Sequence, residues 1–163
     1  MKKTLALFCL VFLFTFTGKS QTKSPAYFKE AVQEPAVKLI NFAKTLIGVP
    51  YRYASSSPQR GFDCSGFVNY VFQNLGVKVP RSSREFPSAG KAVTLQNAKV
   101  GDVLLFTGSN PKVRAIGHVG IVYSIEGEEI KFIHSSSGKA KGVVITEMDK
   151  YYKSRFIKAV SII

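Results

Sequence analysis

The hydrophobic period of this chain changes once, near Gly101, and that change limits the folds open to it. Before it, apolar residues recur at helical spacing. Val37, Ile40, Ala43 and Ile47 form one stripe, with Pro35 at a first helical position and Gly48 and Pro50 ending the run. Phe67, Val68, Val71, Phe72 and Leu75 form a second, closed by Gly76 where a C-terminal cap is wanted. Ser82, with Glu85 three residues on, predicts a capping box and a third, shorter helix. Residues 51–62 carry Ser, Pro, Arg and Gly without a period and read as a loop. After Gly101 the apolar residues gather in short runs rich in Val, Ile, Phe and Tyr: 103–106, 116–124, 130–134, 143–146 and 156–163. Several are separated by Gly, Asn, Pro or Asp, which is the strand signature. Helices first and strands afterwards predict an α+β domain, N-terminal helices packed on a C-terminal antiparallel β-sheet.

The first 20 residues stand apart from that domain. Lys2 and Lys3 precede an apolar run from Leu5 to Phe16, then Gly18 and Ser20, the order of a secretory signal peptide cut near Ser20–Gln21. The run has 12 residues where a membrane span needs about 20, so no stable membrane anchor is expected after cleavage. Phe8 stands before Cys9, where a lipoprotein signal needs a small residue, and this argues against lipidation. Residues 21–34 are polar and read as a loose leader, which leaves 35–163 as a single domain.

Beyond the cut one cysteine remains, Cys64, so no internal disulfide can form. An unpaired thiol exported to an oxidising compartment is a liability unless it is buried or used. Asp63 is a good N-cap residue, which predicts Cys64 in the first turn of a helix, where the dipole favours a thiolate. The alternative is a buried structural cysteine. Both histidines fall among the strands: His118 in the run 116–124, His134 at the end of the run 130–134. A turn around Glu126-Gly127 would make these two strands a hairpin, with position 118 facing 134 or 135. One histidine would then orient the other's ring. Nucleophile, base and orienter are the parts acyl transfer requires. Against that stand two unrelated histidines, or a metal pair. No Cys-x-x-Cys, His-x-x-x-His or carboxylate cluster accompanies them, so we expect no metal and no cofactor. A cysteine phosphatase would need arginine six positions after Cys64, where Tyr70 stands.

Six stretches now carry a resemblance: Gly48-Val-Pro-Tyr-Arg-Tyr53, Gly61-Phe-Asp-Cys-Ser-Gly-Phe67, Val79-Pro-Arg-Ser-Ser-Arg84, Gly101-Asp-Val-Leu-Leu-Phe106, Gly117-His-Val-Gly-Ile121 and Phe132-Ile-His-Ser-Ser136. In this order they closely resemble the NlpC family of papain-like cell-wall cysteine peptidases, and Arg155-Phe156 resembles the family's closing strand. The resemblance implies Cys64 as nucleophile, His118 as general base and His134 as orienting residue. It matches Tyr51 to a tyrosine that could support the oxyanion, with the Cys64 amide as a second donor. Asp63 and Ser65 would help grip the substrate's peptide end, and Asp63 would also serve as a plain N-cap. Tyr51 and Tyr53 are equally open to packing roles. Ala54-Ser55 replaces two glycines that many relatives carry, which bears on the groove wall and substrate length. The loop Thr107–Ala115, with Lys112 and Arg114, would either meet substrate carboxylates or be solvated.

The implied reaction is hydrolysis between D-γ-glutamate and a diamino acid in peptidoglycan stem peptides; the apolar start predicts a location in the periplasm or outside the cell, and we expect a monomer. Without the first 20 residues, 20 basic side chains face 10 acidic ones. Such a surface favours polyanions. Export points it to the carboxylate-rich wall or an anionic membrane surface rather than to nucleic acid, unless the charge only keeps the protein soluble. The alternatives are an amidase or acyltransferase on other amides, and a non-catalytic wall-binding module that retains the fold.

Overall fold

The computed structural model describes residues 25–163; the segment expected to be a signal peptide, with Cys9, lies outside the described residues. Helix α1 spans Pro25–Lys44 and runs through Pro35. The helix therefore starts earlier than its predicted first position, and most of the expected loose leader is helical. A proline in a helix interior removes one hydrogen bond and crowds the carbonyl four residues back. What holds α1 down is Leu39, Ile40 and Ala43, with Leu46 in the turn that follows, whereas Val37 of the helix and Ile47 of that turn are about half exposed. The buried stripe is thus rotated from the expected one. Both sets satisfy helical spacing, and only the partner surface chooses between them.

The expected loop 51–62 holds a small hairpin, β1 (Ser56–Ser57) and β2 (Gly61–Phe62). Helix α2 follows at Cys64–Asn74, with Phe67, Val68, Val71 and Phe72 fully buried. The third helix is a 3₁₀ segment, Ser83–Ser88. Ser82 sits at its cap without a side-chain hydrogen bond, so the expected capping box does not form; Pro87 inside the segment lacks the N–H a regular helix would use. A second 3₁₀ turn covers Leu95–Asn97.

Six antiparallel strands form one sheet: β3 (Lys91–Val93), β4 (Val103–Thr107), β5 (Ile116–Glu126), β6 (Glu129–Ser136), β7 (Gly142–Glu147) and β8 (Phe156–Ser161), in the order β3-β8-β4-β5-β6-β7. A short helix α3, Lys150–Arg155, precedes β8. Leu105, Val119, Ile121, Ile133 and Val160 meet α1 and α2 on one face. Leu104, Phe106, Val122 and Phe132 face the other way, with Tyr152 of α3 packed on them. β4 is buried on both faces, which is why its sequence is a continuous apolar run rather than an alternation. The α+β class is as expected, and no helix among the described residues is long and apolar enough to cross a membrane.

Register carries one decisive irregularity. The β5–β6 hairpin closes on the pair Glu126↔Glu129, so its turn is Gly127-Glu128 rather than Glu126-Gly127. A bulge between Val122 and Ser124 then shifts the pairing to Val122↔Phe132 and Ile121↔Ile133. Without the extra residue His134 would stand on the opposite face from His118, since a one-residue slip exchanges faces.

Candidate active site

The nucleophile candidate is held by its neighbours' backbone. Asp63 caps α2, its Oδ1 accepting from the Gly66 amide at 2.6 Å. The Asp63 amide donates to the Ser55 carbonyl at 2.9 Å, and Ser135 Oγ of β6 donates to the Phe62 carbonyl at 2.7 Å. A Cβ on Gly66 would run into the Ser55 carbonyl oxygen, so only glycine allows this approach. Cys64 is buried, 9 % exposed. Its Sγ reaches the carbonyl oxygen of Gly117, the residue before His118, at 4.0 Å. No hydrogen bond joins Cys64 to His118 directly; the backbone of Gly117 lies between.

His118 and His134 do meet. His118 Nε2 lies 2.8 Å from His134 Nδ1. By the observed register His134 stands beside Gly120, not opposite His118, and reaches it diagonally. A Cβ on Gly120 would lie 3.0 Å from His134 Cβ and 2.6 Å from Phe132 Cδ2, so the bare glycine makes room for the ring. His134 Nε2 lies 3.0 Å from Thr146 Oγ1. Phe132 and Tyr152 pack against its ring, centroids 4.6 and 5.7 Å away.

Burial dominates the electrostatics. It pushes the Cys64 thiol above its ordinary range, with the Asp63 charge adding to it. The amides of Val119, Ser65 and Cys64 favour the thiolate but are outweighed, contrary to the expectation from a helix start alone. Burial, then the Arg155 cation, lowers His118 to about 4. Burial and then His118 lower His134 further. Thiol and imidazoles are therefore all neutral near pH 7, a state in which His118 can accept a proton.

Cys64 opens onto a cleft of about 710 Å³ lined by Tyr51, Tyr53, Asp63, Ser65 and Arg81 among others. Burial, and then the charges of Cys64 and Asp63, raise the Tyr51 phenol, which keeps its hydroxyl a donor. No sequence motif assigns a role to Arg81, although it stands in one of the six stretches. Its Nη1 and Nη2 donate to Asp63 Oδ1 and Oδ2 at 2.9 and 2.6 Å, and Nη1 also to Ser65 Oγ at 3.2 Å. Asp63 and Ser65 thus form one cluster with Arg81. On the far side of Gly117, His118 lines a smaller cleft of about 190 Å³ with Ser136, Tyr151 and Arg155.

Two arginines pin the loop between these clefts. Arg155 donates to the carbonyls of Gly108 and Ser109, and Arg114 to those of Ser154 and Phe156. Arg114 is therefore turned to α3 and not to a substrate cleft. No group of three or more His, Cys, Asp or Glu among the described residues is placed to hold a metal ion.

The pattern of the NlpC/P60 family matches residues 48–161, from the start of the Tyr51 segment to the end of β8. The chain belongs to the NlpC/P60 family. Among its NlpC/P60 relatives, the γ-DL-glutamyl hydrolase of Bacillus subtilis (strain 168) is 41 % identical over 121 residues, 73 % of this chain and 27 % of that protein. The murein DD-endopeptidase MepS/murein LD-carboxypeptidase of Escherichia coli (strain K12) is 37 % identical over 115 residues, 69 % of this chain and 55 % of its own. A solved NlpC/P60 family protein from Bacillus cereus ATCC 10987 superposes with a TM-score of 0.67 at 29 % identity, covering 78 % of this chain and 40 % of that one. The match thus spans from a quarter to just over a half of these relatives' length. The papain-like NlpC/P60 fold expected from the six stretches is the fold observed.

Proposed function

We propose that this chain is an exported cysteine endopeptidase that hydrolyses peptidoglycan stem peptides between D-γ-glutamate and a diamino acid, working as a monomer without a cofactor. The observation that carries the reading is the junction at Gly117. Cys64 Sγ lies against its carbonyl, and the His118–His134 hydrogen bond begins at the next residue. Relatives named as γ-DL-glutamyl hydrolase and murein endopeptidase support the substrate class. The basic start and apolar run before Ser20 support export.

In this mechanism His118 takes the Cys64 proton as Sγ attacks the γ-carbonyl carbon of the D-glutamyl residue. The Cys64 amide and the Tyr51 hydroxyl donate to the developing oxyanion. The imidazolium then returns its proton to the leaving amine as the C–N bond breaks, which leaves a thioester on Cys64. Water, deprotonated by His118, attacks the thioester and releases the γ-carboxylate and the free thiol. The cluster of Asp63, Ser65 and Arg81 would face the N-terminal end of the stem.

Mass spectrometry of soluble muropeptides after incubation with residues 21–163 tests this, with Cys64→Ser as the isosteric control. New fragments ending at D-glutamate, absent with the variant, are expected. Turnover confined to other amides would move the reading to an amidase or acyltransferase. Binding without turnover would make the chain a wall-binding module.

A further inference from the structure

Three polar side chains cross the sheet in diagonal steps on one face: His118 of β5, His134 of β6 and Thr146 of β7. Thr146 pairs with Phe132 and His134 with Val144, so Thr146 and His134 share a face two positions apart. The links are His118 Nε2 to His134 Nδ1 at 2.8 Å and His134 Nε2 to Thr146 Oγ1 at 3.0 Å. A neutral imidazole has one donor and one acceptor nitrogen, so a hydrogen placed on one link dictates the next.

His118 Nε2 is committed to His134, so Nδ1 is the nitrogen left to take a proton. Once His118 holds that proton, both its nitrogens carry hydrogen, and Nε2–H must donate to a lone pair on His134 Nδ1. The hydrogen of neutral His134 then sits on Nε2. His134 is only 1 % exposed, and Thr146 Oγ1 is the partner its Nε2 has. Remove that oxygen and this tautomer buries an unpaired N–H, while the opposite tautomer leaves only a lone pair unpaired. The opposite tautomer places hydrogen on His134 Nδ1, against the His118 Nε2–H that proton uptake creates.

We propose that Thr146 is a positioning residue, its hydroxyl oxygen accepting from His134 Nε2–H and so permitting the tautomer that lets His118 take a proton. The proposal rests on the reading of His118 as the general base. Nothing in the sequence marks Thr146 for this task, since it ends a strand run like any other threonine. A hydroxyl suits the place because its lone pairs accept from His134 while its own hydrogen rotates to another partner.

The test compares the parent with Thr146→Val and Thr146→Ser, all as residues 21–163, with Cys64→Ser as the control for enzyme-borne turnover. Nitrogen-15 NMR of the imidazole rings at pH 7 reads the tautomers, and muropeptide hydrolysis reads kcat and KM. We expect His134 hydrogen on Nε2 in the parent and in Thr146→Ser, with kcat of the serine variant within about twofold of the parent. Thr146→Val should move hydrogen to His134 Nδ1 and lower kcat by about 10- to 100-fold at unchanged KM, a loss of the size seen when the group that orients a working histidine is removed. Parent His134 with hydrogen on Nδ1, or a valine variant with parental kcat, overturns the proposal. If the valine variant does not fold, Thr146→Ala replaces it with the same expectations. If parent and Cys64→Ser turn over equally, the peptidase reading fails, and the tautomer measurement still decides the role of Thr146.

Discussion

His118 and His134 are held neutral by burial, and that has a cost in acid. Their folded pKa values lie below the ordinary 6.5, His118 at about 4. Between these values the unfolded chain binds more protons, so stability rises with pH across that window. The contribution is complete above about pH 6.5 and is lost as pH falls toward 4, by up to about 1.4 kcal/mol per pH unit for each histidine. Urea midpoints at pH 7 and pH 5 measure it, and His134→Gln should flatten the difference; an unchanged slope in that variant would refute the assignment. Ala54 poses a separate residue-scale question. Its φ of +55° lies in the left-handed region that disfavours a Cβ. Ala54→Gly should stabilise the fold by about 1 kcal/mol, read from the same urea titration. A loss of stability would mean that the Ala54 methyl contributes packing that outweighs its strain. That strain was invisible in the sequence, where Ala54-Ser55 stood out only against the glycines of relatives.

At the scale of elements, the candidate site depends on how strands meet. Strand positions were legible, because runs of Val, Ile, Phe and Tyr reflect burial that each strand needs for itself. The runs beginning at Val103, Ile116, Ile130, Val143 and Phe156 all became strands within a few residues. Their exact pairing was not legible: the turn lies one residue later than expected, and the Tyr123 bulge restores the shared face. Gly120 is the element-scale control on this arrangement. Gly120→Ala should cost about 1–3 kcal/mol through overpacking against Phe132 and sharply lower turnover by displacing His134. Gly127→Ala, in open space at φ +61°, should cost about 1 kcal/mol and leave turnover at the parental level. Thermal melts and muropeptide assays on both variants check this. Equal activity in the two would show that His134 tolerates displacement.

For the whole molecule, charge is the dominant surface property, with a formal net charge of +13 over the full sequence and a pI near 9.9. Wall targeting by this basic surface, expected from the sequence, would be screened by salt, since the Debye length falls from about 10 Å at 0.1 M to about 3 Å at 1 M. Cosedimentation of Cys64→Ser with purified cell walls should therefore be strong near 50 mM salt and largely lost near 500 mM. Binding that survives the higher salt would place recognition in the cleft instead. The arginine pair Arg114 and Arg155 is not free to join such a surface in full, being engaged with backbone carbonyls across the loop.

Some of this protein is written locally. Asp63 ahead of Cys64 specifies a capped helix whatever packs on it, because the cap bonds an amide three residues away. The strand runs are equally local, since alternation or continuous apolarity records the faces a strand buries. Other features arise only when distant segments meet. Arg81 finds Asp63 across 18 positions, Cys64 comes to Gly117 across 53, and Thr146 comes to His134 across 12. Whether Cys64 rests as thiol or thiolate is likewise a tertiary outcome. The helix start favours the anion, but desolvation by the assembled core opposes it more strongly. Periodicity records which side of an element avoids water; register and burial depend on the partner, and a single chain segment does not contain its partner.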